Sequence, residues 1–164
     1  IGASLGQESL KRAIMAGAIG TLAVILFMLI YYGKLGIFSS LALVIYIIFT
    51  AAVFKLGITM TLSGIAGFVL SIGMAVDANI LIFARTKEEM KKGIAKVSAI
   101  EEGFKRAWPS IRDSNISTMI TSIILYYFTT SFIKGFALAL LIGVVISMFS
   151  AITITRTLLR TFMR

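Results

Sequence analysis

The sequence predicts an all-α, polytopic membrane helix bundle: five transmembrane helices plus one interfacial amphipathic helix. Three observations predict it. Hydrophobic residues make up 59% of the 164-residue chain and charged residues only 14%, against about 45–50% apolar and about 25% charged in soluble domains. The apolar residues fall in runs of about 20, the length that crosses a bilayer as a helix. The Lys and Arg residues gather in alternate loops, as they do in membrane proteins with a fixed orientation.

Read from the N-terminus as one transmembrane domain, residues 1–164, the spans fall at about 13–32, 35–54, 62–84, 114–133 and 135–155. The first is too long for a secretory signal, and no cleavage pattern follows it. The third is broken only by Asp77, and the fourth opens with a polar turn at Asp113-Ser114-Asn115. Between them Val97, Ile100, Phe104, Ala107, Trp108 and Ile111 recur at helical spacing with Lys and Glu interleaved. This predicts an amphipathic helix over about 94–111 in the inner interface, with Trp108 at headgroup depth. It either covers the inner ends of the spans or couples the helices on its two sides. Pro109, the sole proline, marks where it ends or bends.

If the spans alternate, Lys34, the basic loop from Arg85 to Arg112, and Arg156, Arg160 and Arg164 share one side. The other side receives only Lys11, Arg12, Lys55 and Lys134. The positive-inside rule puts the basic side in the cytoplasm and the N-terminus outside. A chain that begins outside and enters the membrane at once implies an upstream helix and an extracytoplasmic domain.

There is no cysteine and no histidine. That removes disulfides, thiolate metal sites and the commonest general base. The net charge of +9 is read as loop charge facing anionic lipid. Nucleic acid is not expected as a partner, because no basic stretch accompanies a soluble binding fold. An enzyme is not expected either: only one carboxylate is deep, so an aspartyl dyad is missing, and no phosphate-binding loop is present. No catalytic or metal-ligating residues are assigned.

Asp77 is the sharpest feature. It stands eight residues before Arg85, roughly 12 Å along the helix and so near mid-membrane. A carboxylate there costs about 2.5–3.5 kcal/mol on insertion scales. It must be neutral, paired or facing a wet cavity, which suits a group that binds and releases a proton. The alternative is a hydrogen-bonded acid that glues two helices. Gly67, Ser71 and Ala75 follow the small-xxx-small spacing of close helix packing, and Gly73 lies near the Asp77 face. Asp113 or Ser114 is read as a helix cap. Asn115, Thr118 and Thr121 are candidates to line a hydrated path to Asp77. No cation inside the spans can pair with Asp77.

These residues also carry a family resemblance. The segments Gly57-Ile-Thr-Met-Thr-Leu-Ser-Gly-Ile-Ala-Gly67 and Ser71-Ile-Gly-Met-Ala-Val-Asp-Ala-Asn-Ile-Leu-Ile-Phe-Ala-Arg85 resemble the fourth-helix signature of the SecD family of protein-export membrane proteins. Ala99-Ile-Glu-Glu-Gly-Phe-Lys-Arg-Ala107, Asp113-Ser-Asn-Ile-Ser-Thr-Met-Ile120 and Ile133-Lys-Gly-Phe-Ala137 resemble its later motifs. The resemblance runs through the whole chain. It implies half of a transporter of the resistance-nodulation-division superfamily, completed by SecF. It further implies a Sec translocon channel and an unfolded secretory polypeptide as partners, surrounding membrane lipid, and a prokaryotic cytoplasmic membrane. On this reading Asp77 is the ion-coupling residue, H+ or Na+ is the coupling ion, and no other cofactor is needed. Departures stand at Ser63, where the family usually has proline, at Ala84, often glutamate, and at Thr129-Thr-Ser-Phe132, which replaces a glycine- and proline-containing turn. A passive scaffold subunit, or a transporter of lipids or drugs in the same superfamily, are the other readings.

Overall fold

In hydrocarbon a backbone must satisfy its own N–H and C=O groups, so apolar stretches of this length fold as helices. The computed structural model describes residues 3–56, 61–157 and 161. Gly57 to Met60 of the third-span motif, and Arg160 and Arg164 of the basic C-terminal group, lie outside the described residues. The helices are α1 (Ala3–Tyr32), α2 (Lys34–Lys55), α3 (Leu62–Lys91), α4 (Lys96–Phe128) and α5 (Ser131–Phe149), the last continuing through a π-helical stretch, Ser150–Thr155. Four segments are long and apolar enough to cross a membrane: Gly6–Tyr32, Lys34–Lys55, Leu62–Lys91 and Ser131–Thr155. The C-terminal half of α4 supplies the fifth crossing.

Two boundaries differ from the sequence reading. The interfacial helix and the fourth span are one continuous helix, α4, with Pro109 inside it. Its first half does not lie apart: Ala99, Ile100, Gly103, Phe104 and Ala107 are buried. Gly103 sits so close to α3 that a Cβ there would lie 2.6 Å from the Thr86 backbone nitrogen. Because the helix does not restart at residue 113, there is no N-terminus for Asp113 or Ser114 to cap. Asp113 pairs instead with Arg112 at 2.9 Å, and the Ser114 hydroxyl donates to the Ile111 carbonyl. The turn to α5 comes at Thr129 and Thr130, both extended (ψ 179° and 162°). Two consecutive β-branched residues thus break the helix without glycine or proline, ahead of the expected limit at Ile133.

α3 runs through the middle of the bundle, packed against α5, α4 and α1. Gly67, Ser71 and Ala75 are buried on its α5 side. A Cβ on Gly67 would meet the Phe136 carbonyl oxygen at 2.6 Å, and one on Gly143 would meet Ser71 Cβ at 2.3 Å. At this crossing the Tyr46 hydroxyl donates to Ser71 Oγ at 2.8 Å and lies 3.2 Å from the Gly143 carbonyl. Ser71 in turn donates to the Phe68 carbonyl at 2.6 Å. One buried phenol therefore ties α2, α3 and α5. A second tie lies further along: Thr155 Oγ1, in the π-helical stretch, donates to Asn79 Oδ1 at 2.8 Å, both side chains buried. Thr155→Val keeps the shape and strands that amide oxygen. The expected loss is about 1 kcal/mol, read as a lower thermal midpoint in detergent.

At the other end of α3 lies a polar cluster. A 30-residue helix is about 45 Å long and overruns the roughly 30 Å hydrocarbon core, so the turns beyond Arg85 stand outside it. There the buried Glu89 carboxylate accepts from Lys92 at 2.8 Å and from Arg106 of α4. Glu88 faces Arg85 at 3.0 Å and Arg106 at 3.5 Å. Lys87 donates to the Tyr31 carbonyl of α1 at 3.1 Å, and Arg156 pairs with Glu101 at 3.3 Å. The basic ends that the sequence assigned to one side thus meet at one end of the bundle. The Lys92 hydrogen bond, aided by Arg106, holds the Glu89 carboxyl below the ordinary carboxylate range. A depressed carboxylate adds stability above its unfolded pKa, about 4.3, and loses it as pH falls through the folded value. Glu89→Gln therefore lowers the thermal midpoint near neutrality. The gap to the unsubstituted protein closes in scans taken down to about pH 3.

Candidate functional site

Asp77 sits on the one stripe of α3 that the bundle leaves uncovered. Ala66, Leu70, Gly73 and Asp77, spaced at three and four residues, are all exposed, whereas Ala75, Val76, Ala78 and Asn79 beside Asp77 are buried. The helix periodicity explains this division. The small residues that pack on α5 occupy one face, and the carboxylate projects from another.

Two hollows meet at the carboxylate. One, of about 480 Å³, lies toward α1 and is lined by Val24, Phe27, Leu70, Gly73 and Ile80. The other, of about 180 Å³, lies toward α4 and is lined by Met74, Leu81, Ile111, Ser114, Asn115 and Thr118. Among the described residues Asp77 has no hydrogen bond and no ion pair. The nearest cation along its helix, Arg85, is engaged with Glu88.

The polar residues of α4 divide. Asn115 and Thr118 share the smaller hollow with Asp77. Asn115 is 6% exposed and its side-chain nitrogen has no hydrogen-bond partner, so a buried donor faces the carboxylate's surroundings unsatisfied. Thr118 returns its hydroxyl to the Ser114 carbonyl at 3.1 Å. Thr121 does not line either hollow; it is exposed and bonds back to the Ser117 carbonyl at 3.0 Å. Gly73 also parts from the packing group: nothing approaches within 4 Å of where its Cβ would be, because it opens the larger hollow one turn from Asp77. Sequence reasoning missed Met74 and Ser114 as lining residues. Met74 is one of several apolar residues on its turn, so its spacing alone did not mark it.

Fold and site together define a multi-pass helical membrane protein that presents a carboxylate, unpaired among the described residues, at mid-depth on its flank rather than in its core. Residues 1–164 match the family model described as protein export membrane protein SecD/SecF, C-terminal, and the chain belongs to that family. Its relatives carry the SecD name. It is 58% identical, over 98% of its length, to the protein translocase subunit SecD of Thermobaculum terrenum, and 52% identical, over 97%, to that of Synechocystis. Among solved structures, SecDF from Thermus thermophilus, a translocon-associated membrane protein, superposes with a TM-score of 0.93 at 43% identity over 97% of this chain. SecDF in its super-membrane-facing form superposes with a TM-score of 0.83 at 42% identity over 95%. The chain spans about a third of the SecD relatives, 32% and 34%, and 22% of each SecDF chain.

Proposed function

We propose that this chain is the membrane part of a SecD-type subunit of the protein-export machinery, in which Asp77 binds and releases a coupling ion, H+ or Na+, as polypeptide moves. The setting of Asp77 carries the reading: a mid-depth carboxylate, open on the flank of the central helix, with no partner among the described residues. Such a group is half of a site. SecF supplies the facing half on this reading, and the Sec channel is the further partner, by likeness to a SecDF that is translocon-associated.

Protonation removes the cost of holding a charge beside apolar helices, and loss of the proton restores it. A few kcal/mol of difference between the two states is enough to shift how α3 packs. Because α3 is tied to α2 and α5 through Tyr46 and to the π-helical stretch through Asn79, its movement carries the bundle with it. An extracytoplasmic domain then converts that movement into pull on the unfolded secretory chain. The subunit is not an enzyme on this reading and uses no cofactor beyond the ion. Its basic end faces the cytoplasm of a prokaryote, in the inner membrane.

The test is export into proteoliposomes holding the full complex, under an imposed H+ gradient, an imposed Na+ gradient, or neither. Stimulation by one gradient, abolished by the matching ionophore, identifies the ion. Rates indifferent to both gradients overturn the coupling reading.

A further inference from the structure

We propose that the inner end of α4 and α5 forms a site for the headgroup of phosphatidylethanolamine, a zwitterionic phospholipid with a primary ammonium. A hollow of about 460 Å³ opens there between the first half of α4 and the π-helical stretch, lined by Glu101, Glu102, Lys105, Trp108, Ile152 and Arg156, with Phe104 at its back.

Depth places it in the headgroup layer. Tyr126, Tyr127 and Phe128 end α4 at one side, and Trp108 stands twenty residues before Phe128. Twenty residues are about 30 Å of helix, the thickness of the hydrocarbon core, with aromatic residues at both boundaries. Glu101 to Lys105 stand about 5–10 Å further out.

The chemistry of the lining matches a zwitterion. Two carboxylates and two cations give no net charge, so an anionic headgroup gains little. Arg156 is committed on one side: it pairs with Glu101 at 3.3 Å and lies over the Phe104 ring at 5.0 Å. Its Nε, however, is buried without a hydrogen-bond partner. Glu102 and Lys105 make no ion pair among the described residues, with each other or with any neighbour. The phosphate is assigned to Lys105, with the Arg156 guanidinium, whose Nε is closed off from the hollow, as a fixed positive wall behind it. The primary ammonium is assigned to the carboxylate oxygens of Glu102. Choline has no N–H to give these acceptors. Ile152 and the Trp108 ring face the glycerol and upper acyl region. Asp77 takes no part, so this site and the ion-coupling reading stand or fall separately.

The experiment uses the full-length protein in its complex, taken from vesicles of equal phosphatidylethanolamine, phosphatidylcholine and phosphatidylglycerol, with bound lipid counted by native mass spectrometry. Phosphatidylethanolamine should be retained about fivefold over the other two. Glu102→Gln combined with Lys105→Gln should erase that preference with the thermal midpoint unchanged. A photoactivatable phosphatidylethanolamine should label the peptide spanning residues 101–108 in the unsubstituted protein and not in the double variant. Equal retention, a preference for phosphatidylglycerol, labelling elsewhere, or capture of a protein by a photoreactive residue placed at Trp108 would each overturn the site.

Discussion

Asp77→Asn should abolish ion-driven export and leave the subunit in its complex. Asparagine matches aspartate in size and hydrogen-bonding reach but has no proton to exchange at physiological pH. The side chain is exposed on the flank of α3 and makes no bond among the described residues, so none of the bundle's described contacts is lost by the exchange. What disappears is the difference in energy between the charged and neutral states. If coupling rests on that difference, the gradient-dependent part of the export rate falls by at least about tenfold, a change of about 1.4 kcal/mol or more in the effective barrier. The readout is export of a secreted reporter at equal complex abundance. Undiminished export with Asn at this position would return Asp77 to the status of a tolerated polar residue. Loss of the complex itself, with no separate export defect, would favour the scaffold reading.

Gly143→Val should strongly destabilise the seam between α3 and α5. The added Cβ would stand 2.3 Å from Ser71 Cβ, 2.4 Å from Ser71 Oγ and 3.0 Å from the Tyr46 hydroxyl. Something must move, and these atoms belong to the main helix seam of the bundle. Overpacking of this kind costs about 1–3 kcal/mol, and displacing the Tyr46 hydroxyl from its partners adds about 1 kcal/mol more. A lower thermal midpoint in detergent, or reduced abundance in the membrane, reads the effect. Ser71→Gly opens the space that the new side chain needs, so the double variant should recover part of the loss, a coupling that a double-mutant cycle isolates. Additive losses would show that the seam is not where the strain arises.

The spans were legible because they depend on composition over twenty residues, and hydrocarbon leaves the backbone little choice. Asp77 was legible as the lone charge in its span. Its direction was not: nothing local says that the Ala66–Leu70–Gly73–Asp77 stripe is the one left uncovered, since that depends on where α4 and α5 settle. The continuity of α4 was hidden by Pro109 and the Arg112–Asp113 pair, which read locally as a break. The Tyr46–Ser71, Asn79–Thr155 and Tyr46–Gly143 contacts join residues 25, 76 and 97 positions apart. No window on the sequence contains both partners, so only the folded chain reveals them.

The π-helical stretch at the end of α5 sets the direction of the residues beyond it. A π turn is an α-helix holding one residue of slack, and that residue resets the angular position of every later side chain by about 100°. Arg156 comes directly after, and it reaches Glu101 and the face of Phe104 only at the angle this slack provides. Were Ser150–Thr155 wound as ordinary α-helix, the guanidinium would point away from α4 and Thr155 would turn from Asn79. Six residues with no charge among them therefore act as the phase-setter of the helix end, fixing the direction of Arg156 by rotation while Thr155 anchors the stretch to Asn79.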